Sequence, residues 1–566
     1  MTKNNKVYFI SFVIVLVLAL LNVHVFMGNE QSVYFWDSKN FWMQWMRYAD
    51  LLFQSPLDWG MSVYTTVTKD DYNALSTALL FPFKFLPIDS RSAYIYAITI
   101  TYLIPVILLA TFILLKIFEN KSAFYVITTA ILVVLYTPFW KPTLRGLPDV
   151  VGLIPILCVI YFTIKNNLSN RVLLFKSVFL GILLWMPFAF RRWYIFTVIT
   201  LYITLPFFVA YYHDVKFKFE LNKAKNILIN FFISGIITVA LALLIQKELI
   251  ARIISTDYST MYSAYQYGFS KSLMVIFGDI GLFMMPFFIF GIISAISNIK
   301  TKQSVFVLFS AFSFVISVLL FTGTQTPGIH HVLPFSLWFL FVSIFGLNYI
   351  SSLFKSKDAE HSLLTIIMVG MTLISVSTFN KPFPSYKNGF HIFPDGLYPY
   401  KVSNFDEYKR LSDRLVALTN SGDKISVFSS NYILNDDMLL TISNFKLTPR
   451  VFRVSQVDLR DKLRMEAFST KYVVVTNPIQ LHLNKDGQRV ISYPATLLLN
   501  RKGIGSAYKK LDEKYQLSKG VSAYIYEKQR PFTESESQDF IKNIVNMYPQ
   551  WNELYNNAKT LKLLSE

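Results

Sequence analysis

Tyr34-Phe35-Trp36-Asp37-Ser38-Lys39-Asn40-Phe41-Trp42 follows the first long apolar run and sets a carboxylate among aromatic rings. Aromatic side chains gather where a membrane meets water, and a carboxylate at that depth needs water, a counter-charge or a chemical task. If this stretch is the exit of a membrane span, the whole chain is a membrane protein, and composition agrees. Of 566 residues 53% are hydrophobic and only 16% charged, against about a quarter charged in an ordinary soluble domain. The net charge of +19 comes largely from Lys and Arg in short loops between apolar runs. That is the positive-inside pattern, and it argues against nucleic acid as a partner. The single cysteine, Cys158, lies within an apolar run and excludes both an intramolecular disulfide and a cysteine metal cage. No small-residue cleavage site follows the first run, which is read as a retained span.

A helical span needs roughly 20 apolar residues. The first run extends from Val7 to Met27 behind Lys3 and Lys6, which puts the N-terminus on the cytoplasmic side. Ten more follow, at Ser92–Leu115, Ser122–Phe139, Val150–Ile164, Ser177–Phe190, Trp193–Tyr212, Ile227–Gln246, Ser272–Ser297, Ser304–Thr322, Val332–Ile350 and Leu363–Thr378. Asn73–Ile88 is apolar but short, and Pro82, Lys84 and Pro87 interrupt it. If it does not cross, the basic loops with Lys116/Lys121, Lys165/Arg171/Lys176, Lys216/Lys218/Lys223/Lys225, Lys300/Lys302 and Lys355/Lys357 all share one side. The positive-inside rule requires that, so Asn73–Ile88 is read as a helix along the outer surface.

From about Lys381 the composition becomes that of a soluble domain. Lys424–Ser429, Tyr472–Thr476 and Ser522–Glu527 read as strands, while Asp406–Thr419, Val457–Phe468 and Ser506–Tyr515 show helical spacing. A C-terminal helix is expected within Glu534–Leu564. No glycine-rich turn follows a strand in the dinucleotide pattern, so no such cofactor is expected. The predicted fold is an α-helical polytopic membrane protein with about eleven spans and surface-lying helices in the first outer loop. A C-terminal extracytoplasmic α/β domain completes it. Residues 1–380 form the transmembrane domain and 381–566 the soluble domain.

This topology collects the unusual polar residues on the outer side. Asp37 is either an interfacial carboxylate satisfied by Lys39 or water, or a general base, which must be ionised and within reach of a hydroxyl. Asp70-Asp71 is either a solvated loop or helix cap, or supplies Asp71, with Asn73, to a divalent ion or a lipid phosphate. Asp149, at the entrance of a span, either complements a helix N-terminus or is a second active-site carboxylate, with Arg145 as an anion contact. Arg191-Arg192 at an outer turn opposes the charge rule and needs anions, from lipid headgroups or a substrate phosphate held in a bidentate fork. His330-His331 is either structural or places an imidazole near a leaving phosphate, and two histidines do not make a metal site.

Aligned in this way, the residues resemble the GT-C superfamily of membrane glycosyltransferases, particularly the aminoarabinose transferase and protein O-mannosyltransferase branch. Asp37 in Trp36-Asp37-Ser38-Lys39-Asn40-Phe41-Trp42 matches the family's essential aspartate of the first outer loop. Asp71-Tyr72-Asn73-Ala74-Leu75 resembles the acidic motif that introduces a surface helix, and Asp149 resembles the carboxylate of the next outer loop. Lys247–Lys271, with Asp257 and Tyr258, is similar to the family's substrate-covering loop. The chain departs from the pattern in lacking the proline pair after the acidic residue and an acidic neighbour of Asp37. Those departures leave open whether a divalent metal, with Asp71 as a candidate ligand, takes part.

The resemblance implies a GT-C-like catalytic domain that transfers a sugar from a polyprenyl-phosphate donor to a cell-surface glycan, lipid or protein. The reaction would occur at the extracytoplasmic face of a bacterial inner membrane. Asp37 would be the base, with Asp149 as a second catalytic carboxylate. Arg145, Arg191, Arg192, Lys271, His330 and His331 would face the donor phosphate, and Asp71, Asn73, Asp257 and Tyr258 the rest of the substrate. One-step displacement would invert the anomeric centre. The alternatives are a polysaccharide polymerase or ligase of the outer face, and a transporter, for which mid-span charges and inverted repeats would be expected. The topology is testable: reporter fusions at Lys218 and Asn435 are expected to report opposite sides of the membrane, and the same side for both would break the parity argument.

Overall fold

The computed structural model describes residues 3–118, 122–215, 220–380 and 391–565, without the side chains of residues 3–5. Lys121, Lys216, Lys218 and the expected domain boundary at Lys381 lie outside the described residues. The chain forms two compact units. One comprises Met1–Gly28, Asn40–Asp257 and Tyr267–Pro399; the other comprises Asn29–Lys39, Tyr258–Gln266 and Tyr400–Glu566.

The first unit is a helical membrane unit. Among the described residues, eight helices are long and apolar enough to cross a bilayer: Lys6–Met27, Ser90–Phe118, Pro148–Lys165, Arg192–Tyr212, Leu221–Ile245, Lys302–Thr322, Val332–Ser352 and Lys357–Phe379. Two bent pairs, Ala123–Val134 with Thr137–Leu144 and Phe269–Ile280 with Leu282–Ser297, and the shorter helix Leu174–Phe190 complete the set. Each of the eleven apolar runs falls on one of these elements.

Two of the runs are broken, and the reasons are local. The first pair bends by 43° where Pro138, which has no backbone N–H, opens the second piece. The second bends by 78° at Gly281, whose φ of +88° is open to glycine but not to bulky residues. The freed N–H groups of Leu282 and Phe283 donate to the carbonyls of His391 and Ile392, at 2.9 Å each. An apolar helix can break only where such partners exist.

Val332–Ser352 is the central helix, buried along almost its whole length. It meets Met285–Ser297 backbone to backbone, because a Cβ on Gly346 would run into the carbonyl oxygen of Phe287 and one on Gly291 into that of Val342. Small residues permit this approach, which replaces the hydrophobic driving force that lipid cannot supply.

Between the first two spans lie helices Trp36–Gln54 and Pro56–Lys69. Ser55 caps the second, with Pro56 at its first turn. Phe53, Leu57, Met61 and Tyr64 are exposed along them, as in helices that lie in a membrane surface. The expected helix over Asn73–Ile88 is instead two short pieces, the α-turn Leu75–Ala78 and the 3-10 turn Phe81–Phe85. Pro82 and Pro87 prevent a longer one.

The second unit is α/β. Its strands β1 (Ile425–Phe428), β2 (Val451–Phe452), β3 (Tyr472–Asn477), β4 (Tyr508–Gln516) and β5 (Ser522–Lys528) lie in the order β2-β1-β3-β5-β4. β2, β1 and β3 are parallel; β3, β5 and β4 are antiparallel. Residues of β1 and β3 alternate between two cores. Phe428, Val473 and Val475 pack with helices Arg489–Asn500 and Glu534–Met547 on one face. Ile425, Val427 and Val474 pack with Phe405–Leu418 and Asp436–Ile442 on the other.

Two helical expectations are corrected here. The stretch Ser506–Tyr515 is mostly the edge strand β4, whose charges and irregular register between Lys510 and Lys514 imitate helical spacing. Charged edge strands with bulges resist unwanted pairing. Val457–Phe468 breaks at Lys462, whose φ is +55°, into Asp458–Asp461 and a 3-10 turn. The C-terminal helix expected within Glu534–Leu564 is present as Glu534–Met547, and beyond Pro549 shorter helical pieces follow, Asn552–Tyr555 and Ala558–Ser565.

The glycine contact makes a specific prediction. Gly346→Ala should lower stability in detergent by the overpacking range of about 1–3 kcal/mol or more. Gly370→Ala, with nothing within 4 Å of the added carbon, should leave the thermal unfolding midpoint unchanged or raised.

Candidate active site

In the membrane unit, the turn at Arg191 organises the polar residues. Leu174–Phe190 ends at Arg191, whose backbone is extended (φ −149°, ψ 121°) before the 3-10 turn Arg192–Tyr194. Arg191 is buried, and its Nε donates to Oδ1 of Asp149 at 2.7 Å. Trp193 Nε1 donates to the same oxygen at 2.9 Å, and the Tyr194 hydroxyl to the Asp149 carbonyl at 2.8 Å. The Arg191 guanidinium carbon also stands 4.8 Å from the ring centroids of both Phe41 and Tyr72. Asp149 is wholly buried at the start of its span, in the turn Pro148–Gly152. Gly152 is required there, since any Cβ would strike the Tyr194 ring.

Arg192 is half-buried and lies 3.5 Å from Asp71. Asp71 also accepts from Arg252 at 2.9 Å. Two guanidinium groups beside one carboxylate repel a cation, and among the described residues no group of three or more His, Cys, Asp or Glu is placed to hold a metal. Asp71 therefore does not fit a divalent ion. Asn73 is buried and spends its side chain on backbone: Nδ2 donates to the Ala189 carbonyl at 3.0 Å, and Oδ1 accepts from Leu75 N–H at 3.1 Å. It thereby pins the acidic motif to the end of the Leu174–Phe190 helix.

His331 faces Trp193, with ring centroids 5.1 Å apart, and lies tilted against His330 at 3.9 Å. Its Nδ1 accepts the Gly328 N–H at 3.0 Å. Burial, then the charges of neighbouring His330, Arg191 and Arg192, hold the His331 imidazole well below its usual range. The ring is thus neutral at physiological pH. Arg145 donates to the Tyr398 carbonyl at 2.8 Å and receives a hydrogen bond from Arg91 on its own carbonyl. Lys271 is exposed near the start of Phe269–Ile280, and Asp257 is exposed as well.

Asp37 and Tyr258 belong to the α/β unit, and the other candidates to the membrane unit. Asp37 is half-buried in the first turn of Trp36–Gln54. Lys39 is not its counter-charge: its Nζ is paired with Asp437 at 2.7 Å. The Trp36 ring packs on His482 at 4.5 Å, and Tyr258 stacks with Tyr262 at 6.1 Å. Burial, with the carboxylates of Asp461 and Asp37 adding to it and Arg460 opposing, pushes the Tyr265 hydroxyl up to about 12. His482, half-buried beside Ser430, is pushed down to about 4 by desolvation.

Several polar residues at these sites were not among the sequence candidates. Lys141 and Asp279 form a buried pair at 2.7 Å in the membrane unit. Asp436, Asp437 and Arg453 form a charge cluster in the α/β unit. Lys141 lies four residues before Arg145, and Asn435-Asp436-Asp437 holds an acidic pair, but neither has a marked periodic or interfacial setting in the sequence.

No protein-family model matches the chain, and no curated protein matches it. The chain combines an apolar helical unit, with surface helices in its first loop, and an α/β unit. Among solved structures, it is similar to ArnT from Cupriavidus metallidurans bound to undecaprenyl phosphate, with a TM-score of 0.50. The match covers 91% of this chain and 97% of that one at 10% identity, so the likeness is one of fold.

The buried Asp149–Arg191 pair leads to a stability prediction. Asp149→Asn or Arg191→Met alone leaves a buried charge behind and should cost about 3–5 kcal/mol, read as lost folded yield and thermal midpoint. The double variant removes both charges and should recover part of that loss; no recovery would show that the two side chains act independently.

Proposed function

We propose that the chain is a membrane glycosyltransferase that takes a sugar from a polyprenyl-phosphate donor and passes it to an acceptor at the extracytoplasmic face. The observation that carries this reading is the fold match along nearly the whole length of a protein solved with undecaprenyl phosphate bound. A lipid donor also accounts for a catalytic chain built mostly of membrane helices, since its prenyl tail stays in the bilayer.

The residue roles follow from chemistry. The Asp37 carboxylate accepts the proton of the attacking acceptor hydroxyl. That oxygen forms the new bond at the anomeric carbon while the bond to the phosphate oxygen breaks, and the polyprenyl phosphate leaves with the electron pair. Displacement in one step inverts the anomeric carbon. Arg192, half-buried beside Asp71 and more accessible than the enclosed Arg191, is the guanidinium assigned to the phosphate, with Lys271 as a second cation. In this reading Arg191 and Asp149 are positioning residues, as their burial favours, and His331 is a neutral wall. No metal step is included, because the surroundings of Asp71 are cationic.

The experiment is turnover of polyprenyl-phosphate sugars by the purified full chain, followed as polyprenyl phosphate released in the presence of cell-envelope glycan extract. Asp37→Asn should lose about a hundredfold or more in rate with the protein still folded, the usual contribution of a general base. Arg192→Gln should chiefly weaken donor use. Wild-type rates in Asp37→Asn would overturn the assignment of the base.

A further inference from the structure

The α/β unit holds the approach to Asp37 at successive points. Val33 and Phe35 sink into its core beside Met438 and Leu439. On either side of Val33 the backbone is tethered: the Thr441 hydroxyl donates to the carbonyls of Ser32 and Tyr34, at 3.1 and 3.3 Å. At Trp36 the chain takes a φ of +49°, a left-handed conformation that bulky L-residues rarely adopt. There Oδ2 of Asp437 accepts the Trp36 N–H at 2.8 Å. Its other oxygen, Oδ1, accepts from Lys39 Nζ at 2.7 Å and from Arg453 at 2.6 Å. One buried carboxylate therefore grips the residue before Asp37 and the residue two after it.

The cluster has features of a device for geometry. Lys39 and Asp437 are both buried, and replacing a buried pair with apolar residues often keeps or improves stability. What a charged clamp adds is a fixed direction for each partner. Asp436 supports the arrangement, accepting from Gln456 at 3.1 Å and from the Asp437 N–H at 2.9 Å. Burial and the neighbouring Asp437 carboxylate push the Asp436 carboxyl up to about 6.

We infer that Asp437 is the positioning residue for Asp37, holding the strained Trp36–Lys39 turn so that the Asp37 carboxylate is presented in one orientation. The inference rests on the proposed role of Asp37 as base and assigns the α/β unit a part in catalysis.

The test measures kcat and donor KM of the full chain with polyprenyl-phosphate sugar. Asp437→Asn alone strands the Lys39 charge, so it is made together with Lys39→Met. The pair should fold, and its kcat should fall about tenfold or more with donor KM within about threefold, the sign of an interaction needed only in the transition state. In an Asp37→Asn background the pair should cause no further loss, since it acts through Asp37. A folded pair with wild-type kcat, or a loss wholly in KM, would overturn the inference while leaving Asp37→Asn to report on the base. Wild-type turnover in Asp37→Asn would overturn both. If the pair does not fold, Arg453→Gln, which removes the half-exposed arm of the clamp, should lower kcat by about threefold or more at unchanged KM; unchanged kcat in that folded variant would overturn the inference.

Discussion

Asp149 and Arg191 meet at 2.7 Å with almost no contact with solvent, and the polar architecture of the membrane unit depends on that meeting. Desolvating either charge alone costs several kcal/mol, so each is tenable only through the other. Trp193, Tyr194, Phe41 and Tyr72 enclose the pair with hydrogen bonds and ring faces. Because Arg191 is extended where two helices join, the next side chain takes a different course, and Arg192 reaches Asp71. The pair thus encloses the Arg191 guanidinium, while Arg192 is directed to Asp71.

The α/β unit uses the same physics on a segment far away in sequence. Asn29–Lys39 belongs to that unit because Val33 and Phe35 complete its core and a buried carboxylate receives the strained turn. Apolar burial supplies the adhesion, and the charges supply register. In both units buried ionic groups are weak stabilisers but strict orienters, which suits residues close in sequence to the proposed base and phosphate contact.

Much of the helical architecture was legible because a span must be long and apolar, and no neighbouring sequence is needed to recognise it. The interruptions were less so. The break at Gly281 lies in a continuous apolar run, and its partners come from His391 and Ile392, about a hundred residues away by the same kind of tertiary rescue that lets broken helices persist. β1, β3 and β5 read as strands because their apolar runs are short and buried, whereas β4 is an edge strand whose charges conceal its period. At the site, Asp149, Arg191, Arg192 and Asp71 stood out as charges in unexpected places. Which charge pairs with which was not visible, since Asp149 and Arg191 are separated by 42 positions and Lys39 and Asp437 by 398. Lys39 beside Asp37 suggested a local pair, and folding chose the distant partner.

The central proposal is that this fold serves a polyprenyl-phosphate substrate. Native mass spectrometry of the purified chain, offered equal amounts of a polyprenyl phosphate and the corresponding polyprenol, measures that selectivity directly. The account predicts that the phosphate is retained in preference to the alcohol and that Arg192→Gln abolishes the preference. Equal retention of phosphate and alcohol by the wild-type chain would contradict it.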